Sequence, residues 1–205
     1  GKGPSATITM TLANNHPDDY CTTKAVEWFA DTVRERTEGR VVIEVYNNGK
    51  LGDTVSCLEQ MQYGGIDIVK ADVPTMTNFV TTFNVLQMPY IYQDTEHFWK
   101  VHGGEIGMGI LRGKAMEDKG MYGLTFYDAG TRCFYNSRKP MESIKDMRGM
   151  RIRIQESNLM MAMITALEAQ PMVTTYGEVY QALESGAVDG ADNSIVNYLE
   201  QSFYK

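Results

Sequence analysis

The chain has 205 residues, and its 19 Lys and Arg residues against 26 Asp and Glu residues give a formal net charge of −7. With 43% hydrophobic and 22% charged residues, the composition is typical of a globular protein and excludes an intrinsically disordered chain. The negative charge disfavours nucleic acid and anionic membranes as partners, because affinity for phosphate groups depends on positive charge. Any anion that the protein binds must therefore meet a local positive site.

Strand and helix patterns alternate along the N-terminal third of the chain. Three segments predict β-strands: residues 6–12, 41–46 and 66–69. The helical spacing of apolar residues around Trp28 predicts a helix that ends near Gly39, and Asp53 predicts the N-cap of a second helix. This order of elements predicts a parallel sheet with right-handed crossovers.

A second alternating unit follows a helix that is predicted to begin at Thr95. Four segments predict its strands: residues 123–127, 132–136, 150–155 and 188–191. In residues 150–155 the period of two places Arg151, Arg153 and Gln155 on one face and three apolar residues on the other.

Polar residues mark the ends of elements in this second unit. Ser157 is predicted to cap the helix that follows residues 150–155, and Thr175 with Glu178 fits a capping box. The last strand is predicted to end in Asp192, Asn193 and Ser194, at the carboxyl edge where open α/β sheets bind ligands.

Motifs for catalysis or metal binding are missing from the sequence. The three cysteines lack zinc spacing, and His97 and His102 are five residues apart, which does not place two ligands on one helix face. His16 beside Asp18 and Asp19 suggests a general base or metal cluster, although capping of a helix terminus is the favoured interpretation. We therefore expect no metal, no cofactor and no catalytic residues.

Targeting segments are missing as well. No apolar run is long enough to cross a bilayer, and residues 1–5 have neither the charged nor the apolar region of a signal peptide. We therefore expect a mature or trimmed chain from which any signal peptide has been removed.

Anion recognition is the chemistry that remains. Arg132 and Arg153 lie on predicted strands, and an arginine in a covered sheet requires a carboxylate or phosphate partner to offset its desolvation. The planar guanidinium matches a carboxylate with two parallel hydrogen bonds. For each arginine an internal salt bridge is the alternative, and for Asn193 the alternative is a turn cap.

Six motifs occur in a fixed order across essentially the whole chain: RERTEGRV at 34–41, GKLGD at 49–53, MPYIY at 88–92, GTR at 130–132, RGMRIRI at 148–154 and GEVYQALESGAVDG at 177–190. In this order they resemble the solute-binding proteins of tripartite ATP-independent periplasmic (TRAP) transporters, of the dicarboxylate-binding type. The last two motifs are highly specific in combination.

The resemblance implies an α/β fold with the two-lobe periplasmic-binding-protein architecture and a ligand cleft between the lobes. It implies that Arg153 forms a bidentate bridge to the ligand carboxylate and that Arg132 and Asn193 contact the ligand as well. Tyr176 matches an aromatic contact of the family and Asn15 a polar contact, while Gln155 is added because it shares the strand face of Arg153. The expected ligand-binding residues are Arg153, Arg132, Asn193, Gln155, Tyr176, Asn15 and Asp72.

The resemblance also implies a division into lobes. Residues 1–124 are expected to form lobe I and residues 125–205 lobe II, with the chain ending before the return to lobe I that family members make. The C-terminal part of the family fold is therefore expected to be absent from this sequence.

The leading hypothesis is an extracytoplasmic receptor for a carboxylate-containing solute. Residues 191–194, with Asn197 and Tyr198, lean towards a hexuronate or related sugar acid. The expected partners are this small acid and the membrane subunits of a TRAP transporter, and the expected location is periplasmic, with a lipid anchor before trimming as a variant. The alternatives are a dicarboxylate or keto-acid binder, a ligand-sensing module, and a sugar-acid enzyme that uses His16, Asp72 or Asp192 as acid or base.

Overall fold

A computed structural model describes residues 7–205 of the chain. The first residue of the strand predicted from residue 6, and the N-terminal residues that bear on a signal peptide, lie outside the described residues. Contacts between Cα atoms divide the chain after Ala71 into two compact units, and the lobe boundary expected after residue 124 stays a prediction.

The first unit is a three-stranded parallel sheet with two helices. Its sheet has the strand order β2-β1-β3, and both neighbours run parallel to β1, as the sequence predicts. The elements of this unit are β1 (Ile8–Asn14), α1 (Cys21–Arg36), β2 (Val41–Tyr46), α2 (Thr54–Gln62) and β3 (Ile68–Lys70).

Apolar packing between α1 and the sheet forms the core of the first unit. Leu12 of β1, Ile43 of β2, and Val26 and Ala30 of α1 bury their side chains in one cluster. Trp28, which helical spacing suggests for the apolar face, is 69% exposed and lies outside this cluster. The prediction was wrong there because the buried stripe of α1 passes through Val26 and Ala30.

The second unit contains a four-stranded mixed sheet, short helices and three 3₁₀ helices. Its α-helices are α3 (Val73–Met76), α4 (Thr95–His102), α5 (Glu105–Arg112), α6 (Lys114–Glu117), α7 (Asn158–Ala166), α8 (Val179–Glu184) and α9 (Ile195–Glu200). Its strands are β4 (Arg132–Asn136), β5 (Arg151–Ile154), β6 (Gln170–Val173) and β7 (Gly190–Ser194). The 3₁₀ helices are Thr81–Gln87, Ile144–Met147 and Tyr176–Glu178.

The sheet of the second unit has the strand order β4-β7-β5-β6. β4 runs antiparallel to β7, whereas β7, β5 and β6 are parallel to one another. Ile152 and Ile154 of β5 are completely buried against Met160 and Ile164 of α7, so the predicted alternation of β5 and the Ser157 cap of α7 are confirmed.

Two details of the sequence prediction for this unit were wrong. Residues 123–127 form no strand, because Arg112 binds the Gly123 and Leu124 carbonyls and no strand pairs with them among the described residues. Thr175 and Glu178 form no capping box, since the Thr175 hydroxyl donates to the Glu178 carboxylate rather than capping the backbone. The predicted end of the last strand is confirmed, since β7 ends at Ser194.

Candidate functional site

The candidate site is built on one row of residues across the second sheet. Tyr135 of β4 lies opposite Ala191 of β7, and Ala191 lies opposite Arg153 of β5. Neighbours in register project their side chains to the same face of a sheet, so Tyr135 and Arg153 share a face with the small Ala191 between them. Gly190 permits this close pairing, because an added Cβ would clash with the Tyr135 carbonyl oxygen.

Arg153 is buried without a carboxylate partner. The residue is only 2% exposed, and its Nε and Nη2 atoms donate to the Thr174 carbonyl oxygen at 3.0 and 2.8 Å. Among residues 7–205 no carboxylate lies within the 4.0 Å limit of an ion pair with it. Burial, and then repulsion by Arg132, lowers the pKa of Arg153, so an anion would stabilise this guanidinium.

Arg132 has an internal carboxylate partner. Its Nε donates to Asp192 Oδ2 at 2.6 Å, its Nη2 to the Asp192 carbonyl at 2.7 Å, and its Nη1 to Asn193 Oδ1 at 3.4 Å. Burial acts to lower the pKa of Arg132, but the Asp192 carboxylate outweighs it and raises that pKa. The internal salt bridge considered from the sequence is therefore present for Arg132 and not for Arg153.

The side-chain oxygen of Asn193 accepts hydrogen bonds that fix the orientation of this side chain. Asn193 Oδ1 accepts from the Ser194 backbone and from Asn197 Nδ2, both at 2.9 Å, and Asn197 Oδ1 accepts from the Tyr176 hydroxyl at 2.8 Å. The amide nitrogen of Asn193 donates to no side chain or backbone group in the described part of the chain. Asn193 can therefore donate a hydrogen bond to a ligand.

Gln155 and Asp72 are hydrogen-bonded to each other. Gln155 Nε2 donates to Asp72 Oδ1 at 3.2 Å, and the same Asp72 oxygen caps α3 through the Thr75 backbone at 3.0 Å. The negative charge of Asp72 adds to the rise in the pKa of Arg132 and opposes the lowering of the pKa of Arg153, so the carboxylate is within electrostatic reach of both guanidinium groups. The structure thus brings Gln155 and Asp72 together with the two arginines.

Three buried oxygens around Arg153 have no hydrogen-bond partner in the described part of the protein. They are Gln155 Oε1, Asp192 Oδ1 and the Tyr135 hydroxyl. The sequence prediction did not include Tyr135 among the ligand-binding residues. It did predict a strand at residues 132–136, and the alternation of side chains along that strand was the available signal. Unpartnered buried polar atoms are rare in folded proteins and mark places where a ligand or water completes the bonding.

Asn15 lies in the first unit and is hydrogen-bonded within it. Its Nδ2 donates to Thr54 Oγ1 at 3.2 Å, and it lines a small pocket with Asn14, Thr54 and Lys70. Next to it, His16 Nδ1 lies 2.6 Å from Lys70 Nζ, and burial with the nearby Lys70 charge lowers the pKa of His16 to about 3. His16 is therefore a neutral acceptor rather than a helix cap.

Residues 7–205 contain neither a cluster of metal-ligating side chains nor a helix that could span a membrane. No group of three or more His, Cys, Asp and Glu side chains there could hold a metal ion. No helix in the same residues is long and apolar enough to cross a membrane.

A comparison with protein families identifies the family of the chain. Residues 12–205 match the sequence model of the bacterial extracellular solute-binding proteins, family 7, also called DctP. The chain belongs to this family. The match covers both arginines and every expected ligand-binding residue, and it confirms the resemblance to TRAP solute-binding proteins.

Solved structures of TRAP solute-binding proteins share the fold. The protein from Bradyrhizobium sp. BTAi1, in complex with galacturonate, is 36% identical with a TM-score of 0.90, over 96% of this chain and 65% of that chain. The protein from Sulfitobacter sp. NAS-14.1, with bound β-D-galacturonate, is 32% identical with a TM-score of 0.91, over the same two shares. The α/β periplasmic-binding-protein fold predicted from the sequence is therefore confirmed.

A curated relative extends the comparison to another ligand class. The C4-dicarboxylate-binding periplasmic protein DctP of Rhodobacter capsulatus is 35% identical over 87% of this chain and 53% of its own length. The present chain thus spans between 53% and 65% of the length of these three proteins. Members of this family are solute-binding proteins rather than enzymes.

Proposed function

We propose that the protein is an extracytoplasmic solute-binding protein that captures a sugar acid, most simply a hexuronate, for a TRAP-type transporter. The observation that carries this proposal is the buried Arg153 guanidinium, which has a carbonyl partner but no carboxylate partner among residues 7–205. It binds its solute without transforming it, and its partners are the acid and the membrane subunits of the transporter. The family description and the periplasmic relatives support an extracytoplasmic location.

The carboxylate of the solute is assigned to Arg153. A buried charge without a counterion is costly, and the Coulombic gain on pairing grows as the surroundings exclude water. Arg153 is fixed by two bonds to the Thr174 carbonyl, so its fork loses little freedom when an anion binds. Arg132 already has Asp192, so it contributes positive charge and its remaining donors rather than a second unpaired cation.

The unpartnered acceptors favour a hydroxylated acid over a dicarboxylate. Gln155 Oε1 is an amide oxygen, and Asp192 Oδ1 belongs to the carboxylate that pairs with Arg132, so a partner must donate to each of them. A sugar acid supplies hydroxyl donors, whereas a second ionised carboxylate would bring more acceptors to the same place. The galacturonate bound by the Bradyrhizobium and Sulfitobacter relatives agrees with this choice.

A binding screen tests the function directly. Calorimetry with galacturonate, glucuronate and succinate should give a micromolar Kd for a uronate, about −8 kcal/mol, and weaker binding of succinate. Binding of succinate but of neither uronate would replace the sugar-acid proposal by the dicarboxylate alternative. Turnover of a uronate followed by NMR would instead support an enzyme.

Arg153→Lys tests the assigned carboxylate contact. Lysine keeps the positive charge but loses the two-pronged geometry, so we expect the Kd for the uronate to rise about 100-fold with the fold intact. Arg151→Lys is the matched control, because Arg151 lies on the same strand and pairs with Asp189 instead. Unchanged affinity in the Arg153 variant would exclude Arg153 as the carboxylate ligand.

A further inference from the structure

The Tyr135 hydroxyl is a buried group that the expected site does not include. Its oxygen is inaccessible to solvent and has no hydrogen-bond partner among residues 7–205. The ring itself is well supported, since it packs edge-on against Tyr198 at 4.9 Å and stacks with Phe203 at 6.1 Å between centroids. The aromatic ring therefore has a structural role, while nothing in the described protein uses its hydroxyl.

Burial and three charged side chains act on the pKa of this hydroxyl. Burial raises the pKa of Tyr135 well above its usual value; the Arg153 and Arg132 guanidinium groups oppose this rise and the Asp192 carboxylate adds to it. The phenol is therefore neutral at physiological pH and keeps its proton. It can donate one hydrogen bond to an acceptor near Arg153.

The position of Tyr135 in the sheet relates its hydroxyl to Arg153. It shares a sheet row and a sheet face with Arg153, and the only residue between them, Ala191, has a single methyl group. The row therefore contains no bulky side chain that separates Arg153 from Tyr135, and Ala191 itself is completely buried. A carboxylate accepts several hydrogen bonds, so it can receive the guanidinium and the phenol together.

We propose that Tyr135 is a ligand-binding residue whose hydroxyl donates to the solute carboxylate held by Arg153. This assignment rests on the proposed function and adds a second, neutral donor to it. The two donors divide the work: Arg153 supplies charge and a planar fork, and Tyr135 fixes the carboxylate along the direction of the sheet row.

Tyr135→Phe tests the hydroxyl alone, because the ring and its packing remain. We expect the Kd of the uronate to rise about tenfold, the usual effect of losing one hydrogen bond to a charged group. Without ligand, the unfolding temperature should stay the same or rise, because the variant removes an unpaired buried hydroxyl. A purely structural hydroxyl would instead lower that temperature.

Galacturonate and glucuronate identify the ligand group that Tyr135 contacts. The two acids share the carboxylate and differ in the configuration of one hydroxyl, so a carboxylate contact predicts the same fold-change for both. Different fold-changes would overturn the carboxylate assignment, as would an unchanged Kd for both acids. If the wild-type chain binds no uronate, the proposed function fails, and the assignment of Tyr135 fails with it.

Tyr198→Phe is the matched control. It makes the same chemical change in the ring that packs against Tyr135. We expect its Kd to stay within about twofold of the wild-type value, and an equal loss in both variants would overturn the specific role of Tyr135.

Discussion

The two units each contain a buried polar cluster, and the clusters differ in how completely they are bonded. In the first unit, Asn14 donates to Thr23 and to Asn47, and Asn47 donates to Asp18 and to Glu27, with all four distances between 2.8 and 3.0 Å. In the second unit, three oxygens around Arg153 have no partner among residues 7–205. One cluster is complete within the protein, and the other is complete only with something added.

This difference separates stability from function. A fully bonded buried network stabilises one conformation, whereas a partly bonded one costs free energy until a ligand satisfies it. Asn14 and Asn47 therefore belong to the structural framework of the first unit. The Arg153 cluster consists of Arg153, Tyr135, Gln155 and Asp192. Its unsatisfied polar groups destabilise the unliganded protein, and a ligand that bonds to them gains this free energy on binding.

Asn47→Ala is expected to have the largest effect on stability. It removes both donors to the Asp18 and Glu27 carboxylates and leaves Asn14 with one fewer acceptor. We expect the free energy of unfolding to fall by about 3 kcal/mol, measured by urea denaturation. Asn15→Ala, which loses a single bond to Thr54, should cost less than about 1 kcal/mol. Equal losses of unfolding free energy in the two variants would show that the Asn47 hydrogen bonds stabilise the fold no more than the single Asn15 bond does.

Sequence reasoning predicted the fold better than it predicted the state of bonding. The alternation in residues 150–155 was enough to predict that Ile152 and Ile154 are buried on one face and that Arg153 lies on the other. A period of two determines the face on which each side chain lies. The segment 123–127 has the same strand-like composition, yet it has no strand partner in the structure. Composition indicates what a segment can form, and long-range pairing decides whether it does.

The candidate site shows the same limit. Arg132 and Arg153 are alike in sequence, but the register of β4 on β7 brings Asp192 to Arg132 and leaves Arg153 without a carboxylate. Tyr135 was missed because its importance depends on an unpaired oxygen, which no local pattern encodes. The roles of the seven expected ligand-binding residues remain predictions until binding is measured.

The stability of the protein depends on pH through His16 in the first unit. Its folded-state pKa of about 3 is below the ordinary value of 6.5, so the unfolded chain binds the proton more readily. Stability from this group is therefore complete above pH 6.5 and decreases as the pH falls towards 3. Between pH 7 and pH 4 we expect a loss of roughly 2 to 3 kcal/mol from His16.

His16→Gln isolates this contribution. Glutamine offers Lys70 a neutral acceptor but does not titrate, so the variant should lose less stability than the wild type over the same pH range. The measurement is urea denaturation at pH 7 and at pH 4 for both proteins. Parallel losses in the two proteins would assign the acid sensitivity to other groups.

Arg153→Met gives the smallest expected change in stability, and its sign is opposite to that of Asn47→Ala. Methionine removes a buried cation that has no carboxylate partner and retains a long apolar side chain. Without ligand, we expect the free energy of unfolding to stay the same or rise by about 1 kcal/mol, while uronate binding is lost. A large loss of stability would mean that the unliganded fold depends on Arg153. The Arg153 cluster would then be structural, as the Asn14 network is, and the contrast between the two units would disappear.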